Sequence, residues 1–173
     1  KIVFQKPIFN VGAKAEVGYE YPDLEKNFVG FKMKINKGTM YKGKVNAIMG
    51  SNGLGKTTFL KIISGLEKAD KGIVEKKKIS YKPQYLKQIK GNVREYLKEI
   101  AKENFESGWY KQNILIKLNI KHVLDHDLSE LSGGELQKVY IAATLSSDAD
   151  IIALDEPSAF IDVEDRLNVA EVI

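Results

Sequence analysis

The 173-residue sequence contains no cysteine, which excludes disulfides, thiolate metal sites and iron–sulfur ligation within this segment. It also has no apolar run of membrane-spanning length and no signal-peptide pattern, so we expect a cytoplasmic protein without membrane insertion. The net charge is only +4, which favours an anionic partner such as nucleic acid only weakly. With 43% hydrophobic and 29% charged residues, the composition is that of an ordinary globular protein with one core.

The strongest chemical signal is a stretch that matches the phosphate-binding pattern G-x-x-x-x-G-K-[ST] at every specified position. It comprises Gly50, Ser51, Asn52, Gly53, Leu54, Gly55, Lys56, Thr57 and Thr58. The apolar residues at 44–49 predict a buried strand before it, and the spacing at 57–66 predicts a helix after it. In this context the loop N–H groups surround a phosphate of ATP, Lys56 reaches the β- and γ-phosphates, and the Thr57 hydroxyl ligates Mg²⁺. The alternative is an ordinary glycine turn before a helix.

Two carboxylates follow a short apolar run near the end of the sequence. Residues 151–154 predict a buried strand, and Asp155 and Glu156 come directly after it. The carboxyl end of a strand is where α/β sheets place ligand chemistry. Asp155 can hold Mg²⁺ through water, and Glu156 can orient or deprotonate an attacking water. The pair is a weak signal alone, and the phosphate loop in the same chain makes it a strong one.

The first third of the chain predicts an antiparallel β layer. Residues 1–48 form short, partly alternating segments separated by glycines. Tyr21 in this layer can stack on adenine or pack in the core. After the predicted helix, the lysine run at 76–78 indicates either nucleic-acid contact or, more simply, a solvated hairpin face. Residues 79–81 predict a further strand, and Gln84 follows it at a strand-to-helix junction.

Helical periodicity dominates the middle of the chain. Residues 92–119 carry two apolar helical patterns separated by Ser107 and Gly108, which predicts an inserted helical lobe. Trp109 and Tyr110 are most simply part of the core of that lobe.

Two further features lie between this lobe and the carboxylates. His122 and His126 have the i, i+4 spacing of metal ligands, but no third ligand pattern accompanies them, so a solvent-facing or capping role is the simpler interpretation. Ser132, Gly133 and Gly134 open a long helix that is predicted to run to about residue 145. The amides at the start of this helix make a second anion site.

The order of these motifs resembles the ATP-binding cassette (ABC) family. The phosphate loop is followed by Pro83 and Gln84, then by Leu-Ser-Gly-Gly at 131–134, then by Leu-Asp-Glu-Pro at 154–157. The resemblance implies an α/β fold: a P-loop NTPase of the ABC nucleotide-binding type, with an antiparallel β layer and an inserted helical subdomain. It divides the chain into 1–84 (β layer and P-loop part of the core), 85–145 (helical subdomain and signature helix) and 146–173 (Walker B strand and D-loop).

The resemblance also implies a composite site, in which two cassettes sandwich two ATPs with Mg²⁺. The family's switch histidine lies beyond the second carboxylate, and no histidine follows Glu156 here; we therefore expect a fragment that binds MgATP with negligible hydrolysis. The resemblance implies that the catalytic residues are Glu156 as base, Gln84 and Lys56, and that the metal-associated residues are Thr57, Gln84 and Asp155. It implies that residues 50–58 contact the nucleotide phosphates and that Tyr21 contacts adenine. Toward the ATP of the partner cassette it implies contacts from Ser132, Gly133 and Gly134, with Asp162 in the loop that communicates between the sites.

A finer resemblance is carried by Tyr-Lys-Pro-Gln at 81–84, Ser-Gly-Gly-Glu-Leu-Gln at 132–137 and residues 155–166. These segments are similar to the second cassette of the ribosome-recycling ATPase of archaea and eukaryotes, the RNase L inhibitor family. Transporter cassettes more often have Gln at the position of Glu135 and Thr at that of Ser158. The resemblance implies ATP-driven splitting of ribosomes, a second cassette in the same parent chain, and ribosomal subunits with release and recycling factors as partners. The lysine-rich surface is compatible with rRNA contact.

Three other functions stay open at this point. The first is the ATPase subunit of a membrane transporter. The second is a DNA-repair or chromosome-associated cassette, which is disfavoured because the stretch between Gln84 and the signature leaves no room for a long coiled coil. The third is a regulatory nucleotide-binding module without turnover.

Overall fold

A computed structural model describes residues 16–87 and 89–173. Its N-terminal part is the predicted antiparallel β layer, of which residues 1–15 lie outside the described part. Strand β1 (Val17–Tyr21) pairs with β4 (Gly38–Tyr41), and β2 (Leu24–Phe28) forms a hairpin with β3 (Phe31–Ile35). Side chains alternate between the faces of this hairpin. As a result Leu24 and Met33 are buried against Ile62 of the following helix.

Residues 44–49 do not form the buried strand that their apolar pattern predicts. The segment has no strand or helix geometry, and Val45 and Met49 are 73% and 89% exposed. A strand satisfies its backbone by pairing with a neighbour, and none of the strands within 16–87 and 89–173 pairs with this segment. The prediction was wrong because apolar character does not report whether a partner strand is present.

Helix α1 (Lys56–Ile63) follows the phosphate loop and is shorter than the predicted 57–66. It buries Phe59, Leu60, Ile62 and Ile63. The helix ends because the Gly65 N–H donates to Ile62 O at 3.0 Å and the Leu66 N–H turns back to Lys61 O at 2.9 Å, as in glycine-terminated helix ends. Leu66 consequently lies exposed beyond the helix.

The two strands that end at the predicted catalytic residues are parallel neighbours. Strand β5 (Ile79–Lys82) pairs with β6 (Ile151–Leu154) in the register Ile79 to Ile151 and Lys82 to Leu154. Both carboxyl ends therefore meet at one edge of the sheet. Ala153 of β6 packs in the same core cluster as Phe59, Leu60 and Ile63, so the helix of the phosphate loop rests on this sheet.

The lysine-rich segment before β5 is not the hairpin face that the sequence suggested. Residues 72–78 are irregular, and an isolated bridge joins Lys71, just before them, to Glu25. Lys77 contacts Glu75 at 3.1 Å, and Lys78 pairs with Asp148. Two lysines of the run are therefore engaged with nearby carboxylates.

The predicted helical lobe is present between β5 and β6. It contains α2 (Val93–Ala101), a 3₁₀ turn (Lys102–Glu106), and α3 (Gly108–Tyr110), which continues as a π-helical segment (Lys111–Ile116). Short 3₁₀ turns (Lys121–Val123 and Leu128–Glu130) lead to the long helix α4 (Gly133–Ser146), and α5 (Val163–Val172) follows β6. The prediction of a helix from the serine and glycines to about residue 145 is confirmed.

The main core lies where α2 packs on α4, with Val93, Leu97 and Val139 fully buried. Tyr110 belongs to this core as predicted. Trp109 does not, because its side chain is 67% exposed. Among the helices described here, none combines the length and the apolar character that crossing a bilayer requires.

Candidate nucleotide site

The residues predicted to bind phosphate form an exposed loop that leads directly into α1. Gly53 and Gly55 have φ values of 84° and 90°, in the left-handed region that glycine adopts without strain. Gly55 is the N-cap of α1 and provides no side-chain cap. The N–H groups of the first helical turn have no acceptor within a helix, so they are free to bind an anion.

The Lys56 side chain folds back over this loop. Its Nζ lies 2.7 Å from Gly50 O and 3.0 Å from Ser51 O. These two carbonyl contacts hold the ammonium over the loop that is predicted to receive the phosphates. Thr57 is half-buried beside it, at the start of the helix.

Hairpin β2–β3 contacts the phosphate loop through Met33. A Cβ placed on Gly55 would lie 2.1 Å from Met33 Sδ, so a side chain at position 55 would have to displace Met33. The left-handed backbone angle of Gly55 is a separate reason for glycine at this position. Met33 therefore packs directly against the phosphate loop.

Tyr21, predicted to stack on adenine, is largely engaged by the protein. Its ring packs edge-on against Phe59, with centroids 5.1 Å apart, and its hydroxyl lies so close to Gly38 that a Cβ there would be 2.4 Å away. A second aromatic pair, Phe28 and Phe31, stacks with ring centroids 6.0 Å apart across the hairpin turn. They are 41% and 48% exposed. Aromatic residues flanking a two-residue turn were the sequence signal for this pair.

At the ends of β5 and β6 the structure brings Gln84, Asp155 and Glu156 to one edge of the sheet. Asp155 is buried, and its Oδ2 accepts a hydrogen bond of 3.2 Å from the Tyr81 hydroxyl. Burial, and then the charge of Asp155, raises the pKa of Tyr81. Tyr81 therefore stays protonated and orients one oxygen of the carboxylate.

Lys82, which the sequence analysis did not single out as a site residue, lies fully buried beneath this edge. Its Nζ donates to Pro83 O at 2.9 Å and to Asp155 O at 3.2 Å. Burial lowers the pKa of Lys82 to about 8, against the opposing effect of the charges of Asp155 and Glu156. The ammonium thus joins the backbone of the two strand ends that carry Gln84 and Glu156.

The lowered pKa of Lys82 predicts a pH-dependent stability. Its folded pKa of about 8 lies below its ordinary value of 10.5, so between these values the unfolded chain binds more protons and the free energy of unfolding rises with pH. Urea unfolding at about pH 7.5 and about pH 9.5, below the ordinary tyrosine pKa, should show this rise in the wild type and its loss in Lys82→Met. The exposed Lys34→Met is the matched control, and equal pH slopes for Lys82→Met and wild type would contradict the prediction.

Glu156 has an unusual backbone for a residue with a side chain. Its φ is 46°, in the left-handed region, which costs about 1–3 kcal/mol for a non-glycine residue. Its carbonyl accepts a hydrogen bond from the Ala159 N–H at 3.1 Å. Strain of this kind often marks a functional position, and it lies here at the predicted catalytic base.

The signature residues lie at the start of α4, where Ser132 and Glu135 form a capping box. Glu135 Oε2 accepts from the Ser132 N–H at 2.9 Å and from its hydroxyl at 2.7 Å. His122 Nε2 lies 3.2 Å from Glu135 Oε1, so this histidine, considered in the sequence as a metal ligand, instead contacts the capping residue. The Ser132 hydrogen bonds, followed by His122, hold the pKa of Glu135 below its ordinary range.

Gly133 and Gly134 bring α4 close to the loop that follows Glu156. A Cβ on Gly134 would lie 2.9 Å from Phe160 O, and one on Gly133 would lie 3.8 Å from Phe160 Cβ. Phe160 itself has a φ of 61°. Asp162 is the exposed N-cap residue of α5. The predicted signature and the predicted communicating loop are therefore in direct contact within this chain.

Comparison with known proteins gives a consistent result. The family model described as ABC transporter matches residues 33–159. The chain is 46% identical to an ABC transporter ATP-binding protein of Methanocaldococcus jannaschii, over 99% of this chain and 29% of that protein. It is 34% identical to the translation initiation factor RLI1 of Saccharomyces cerevisiae, over 92% and 26%. It is 35% identical to the zinc import ATP-binding protein ZnuC of Rickettsia conorii, over 89% and 68%.

Two solved structures have the same fold at high identity. One is described as RNase-L Inhibitor, with a TM-score of 0.90, 44% identity, and coverage of 94% of this chain and 32% of that one. The other is a complex of the archaeal ribosomal stalk protein aP1 with the archaeal ribosome recycling factor aABCE1, with a TM-score of 0.92, 43% identity, and coverage of 98% and 33%. The chain spans about a third of the length of both.

Proposed function

Because the chain belongs to the ATP-binding cassette family, we propose that it is one cassette of a tandem ATPase that uses ATP binding and hydrolysis to split ribosomes into subunits. The observation that carries the ATPase part is the pairing of an open phosphate loop at α1 with Asp155 and Glu156 at the end of a strand on which α1 rests. The ribosomal part is supported by the 43–44% identity to proteins described as an RNase L inhibitor and a ribosome recycling factor. Such a protein works in the cytoplasm.

The residues present fit ATP and Mg²⁺. The amides at residues 50–58 and the Lys56 ammonium suit phosphate oxygens. The Thr57 hydroxyl, the Gln84 amide and the Asp155 carboxylate are the oxygen ligands that Mg²⁺ accepts in proteins. When bound, the metal neutralises charge on the phosphates. Glu156 orients and deprotonates the attacking water, and Lys56 binds the charge that develops on the γ-phosphate.

A single cassette supplies only half of each proposed composite site. Ser132, Gly133 and Gly134 are exposed or half-buried at the end of α4, where they are able to face ATP held by a second cassette. Asp162, also exposed, lies in the loop that contacts this end and would relay the state of one site to the other. In this arrangement residues 1–84 and 146–173 form the ATPase core, and 85–145 form the subdomain that carries the signature. We expect the 173-residue chain alone to bind MgATP with negligible turnover.

For adenine, the hairpin tip offers a better stacking surface than Tyr21, whose ring is engaged by Phe59. Phe31 lies two residues from Met33 on the same strand face, about 7 Å along the strand, and Met33 abuts Gly55 of the phosphate loop. Phe31 pairs with Phe28 across the turn. A nucleotide whose phosphates occupy the loop is long enough to place its base on this aromatic pair.

Phe28→Ala is therefore expected to weaken ATP binding by about 5- to 150-fold, the range expected for a lost base–aromatic stack. Calorimetric titration with ATP and with inorganic triphosphate measures this. Triphosphate affinity should be unchanged, because it has no base. Val29→Ala, in the same turn and fully exposed, is the control without a ring. If Phe28→Ala binds ATP normally and Tyr21→Leu binds it more weakly, then Tyr21 is the residue that stacks on adenine.

Co-sedimentation with ribosomal subunits tests the proposed partner. The full-length protein carrying Glu156→Gln is mixed with subunits in MgATP or MgADP, because the substitution should accumulate the closed, ATP-bound state. We expect association with the small subunit in MgATP alone, with rRNA as one of the surfaces contacted. The second candidate, the ATPase subunit of a membrane transporter, is favoured by the 35% identity to a zinc import protein. Absence of association in either nucleotide would support that candidate.

A further inference from the structure

Gln137, on the second turn of α4, is a fully buried polar side chain without a role in the site described above. Its Nε2 donates to Glu156 O at 3.0 Å and to Pro157 O at 3.2 Å. Its Oε1 is buried without a hydrogen-bond partner among the described residues. A buried amide with half of its capacity unused is unfavourable compared with an apolar side chain of the same size. A role for Gln137 must therefore come from the two hydrogen bonds that its Nε2 donates.

The two carbonyls that accept these hydrogen bonds belong to Glu156, whose backbone is strained, and to the proline that follows it. Glu156 has its φ at 46°, which a residue with a β-carbon keeps only when its surroundings hold it there. The amide of Gln137 donates to the carbonyl of the peptide that joins Glu156 to Pro157 and to the carbonyl of the next peptide. These bonds fix the orientation of the first of these peptides and so the direction in which the Glu156 side chain leaves the backbone.

Other contacts join α4 to the same loop. Gly134 lies against Phe160 O, and the buried Lys138 Nζ contacts Asp165 Oδ2 at 2.5 Å. With Gln137 between them, these residues connect one end of α4 to the chain from Glu156 to Asp165. A displacement of the signature end of α4 would therefore move the peptide that orients Glu156.

We infer that Gln137 is a positioning residue that holds the backbone of Glu156 in its left-handed conformation and couples the signature end of α4 to this carboxylate in the same cassette. The inference rests on the proposed function, in which Glu156 is the catalytic base. It adds a connection inside one cassette, between the surface that faces the partner's ATP and the base that acts on its own ATP.

A double-mutant cycle in the full-length protein tests this role. Gln137→Met keeps the volume and removes both donors. We expect kcat to fall about 10- to 100-fold, the effect of misplacing a reacting group by about 1 Å, while KM and ATP affinity stay within about twofold. In the Glu156→Gln background the same substitution should have no further effect, because it acts through the carboxylate that has been removed.

Two more variants keep the test decisive. Gln137→Asn retains the amide but is one methylene shorter, and it should lower kcat as Gln137→Met does, even if the methionine variant folds poorly. Thr144→Val removes a buried hydroxyl that donates to Tyr140 O on the same helix, and it should leave kcat unchanged. Wild-type kcat in either folded Gln137 variant, or an equal loss with and without the Glu156 carboxylate, would overturn the inference. Wild-type turnover in Glu156→Gln would instead overturn the assigned base, and with it the role of Gln137.

Discussion

Replacing Glu156 by glutamine in the full-length protein should lower ATP turnover by about 10²- to 10⁴-fold, the contribution of a positioned general base. Glutamine keeps the shape of the side chain and removes its ability to accept a proton. Binding should survive, because the phosphate loop and Lys56 lie on a different element. The expected result is therefore a large loss of kcat with ATP affinity unchanged.

Steady-state phosphate release and equilibrium ATP titration measure the two quantities separately. Glu164→Gln is the matched control, since it makes the same substitution on an exposed glutamate in the first turn of α5. Turnover near the wild-type rate in Glu156→Gln would exclude this residue as the base. A parallel loss of binding would mean that Glu156 contributes to holding the nucleotide instead.

Lys56→Ala should weaken ATP binding by about 10- to 150-fold, which corresponds to the loss of one or more charge-assisted hydrogen bonds. The substitution removes the only side-chain cation that the P-loop motif itself supplies. It also removes the two contacts by which Lys56 Nζ holds Gly50 O and Ser51 O, so the loop loses an internal support as well as a ligand.

Titration with ATP, ADP and AMP separates these effects. The loss should be largest for ATP and smallest for AMP, because the lysine reaches the β- and γ-phosphates. Lys61→Ala, in the last turn of the same helix, should bind ATP normally. An unchanged ATP affinity in Lys56→Ala would mean that residues 50–58 are not the phosphate site.

The sequence predicted the elements whose signals are local. The helix α4 is preceded by a serine and opens with two glycines, and β6 is a short apolar run before two carboxylates. Both signals depend on neighbouring residues alone, and both elements were confirmed. The phosphate loop is equally clear, because its pattern is contiguous in the sequence and requires Gly55, which adopts a left-handed backbone angle.

The features that the sequence did not predict depend on residues far apart in the chain. Residues 44–49 are apolar enough for a strand, yet no described strand pairs with them. Lys82 and Gln137 have ordinary polar side chains, and their burial depends on carbonyl groups that the fold brings to them. Trp109 is expected in the core because large aromatic residues usually pack there, yet its side chain is 67% exposed. The spacing of apolar residues along the sequence does not show which distant residues will be in contact.

Ribosome splitting, followed on sucrose gradients, tests the central claim most directly. Ribosomes from the same organism are incubated with release and recycling factors and the full-length protein, in ATP or in ADP, with Lys56→Ala as the matched control. We predict that wild-type protein with ATP converts ribosomes into subunits, and that neither ADP nor the Lys56→Ala variant does. Ribosomes that remain intact with a wild-type protein that hydrolyses ATP would contradict the recycling function while leaving the nucleotide site in place.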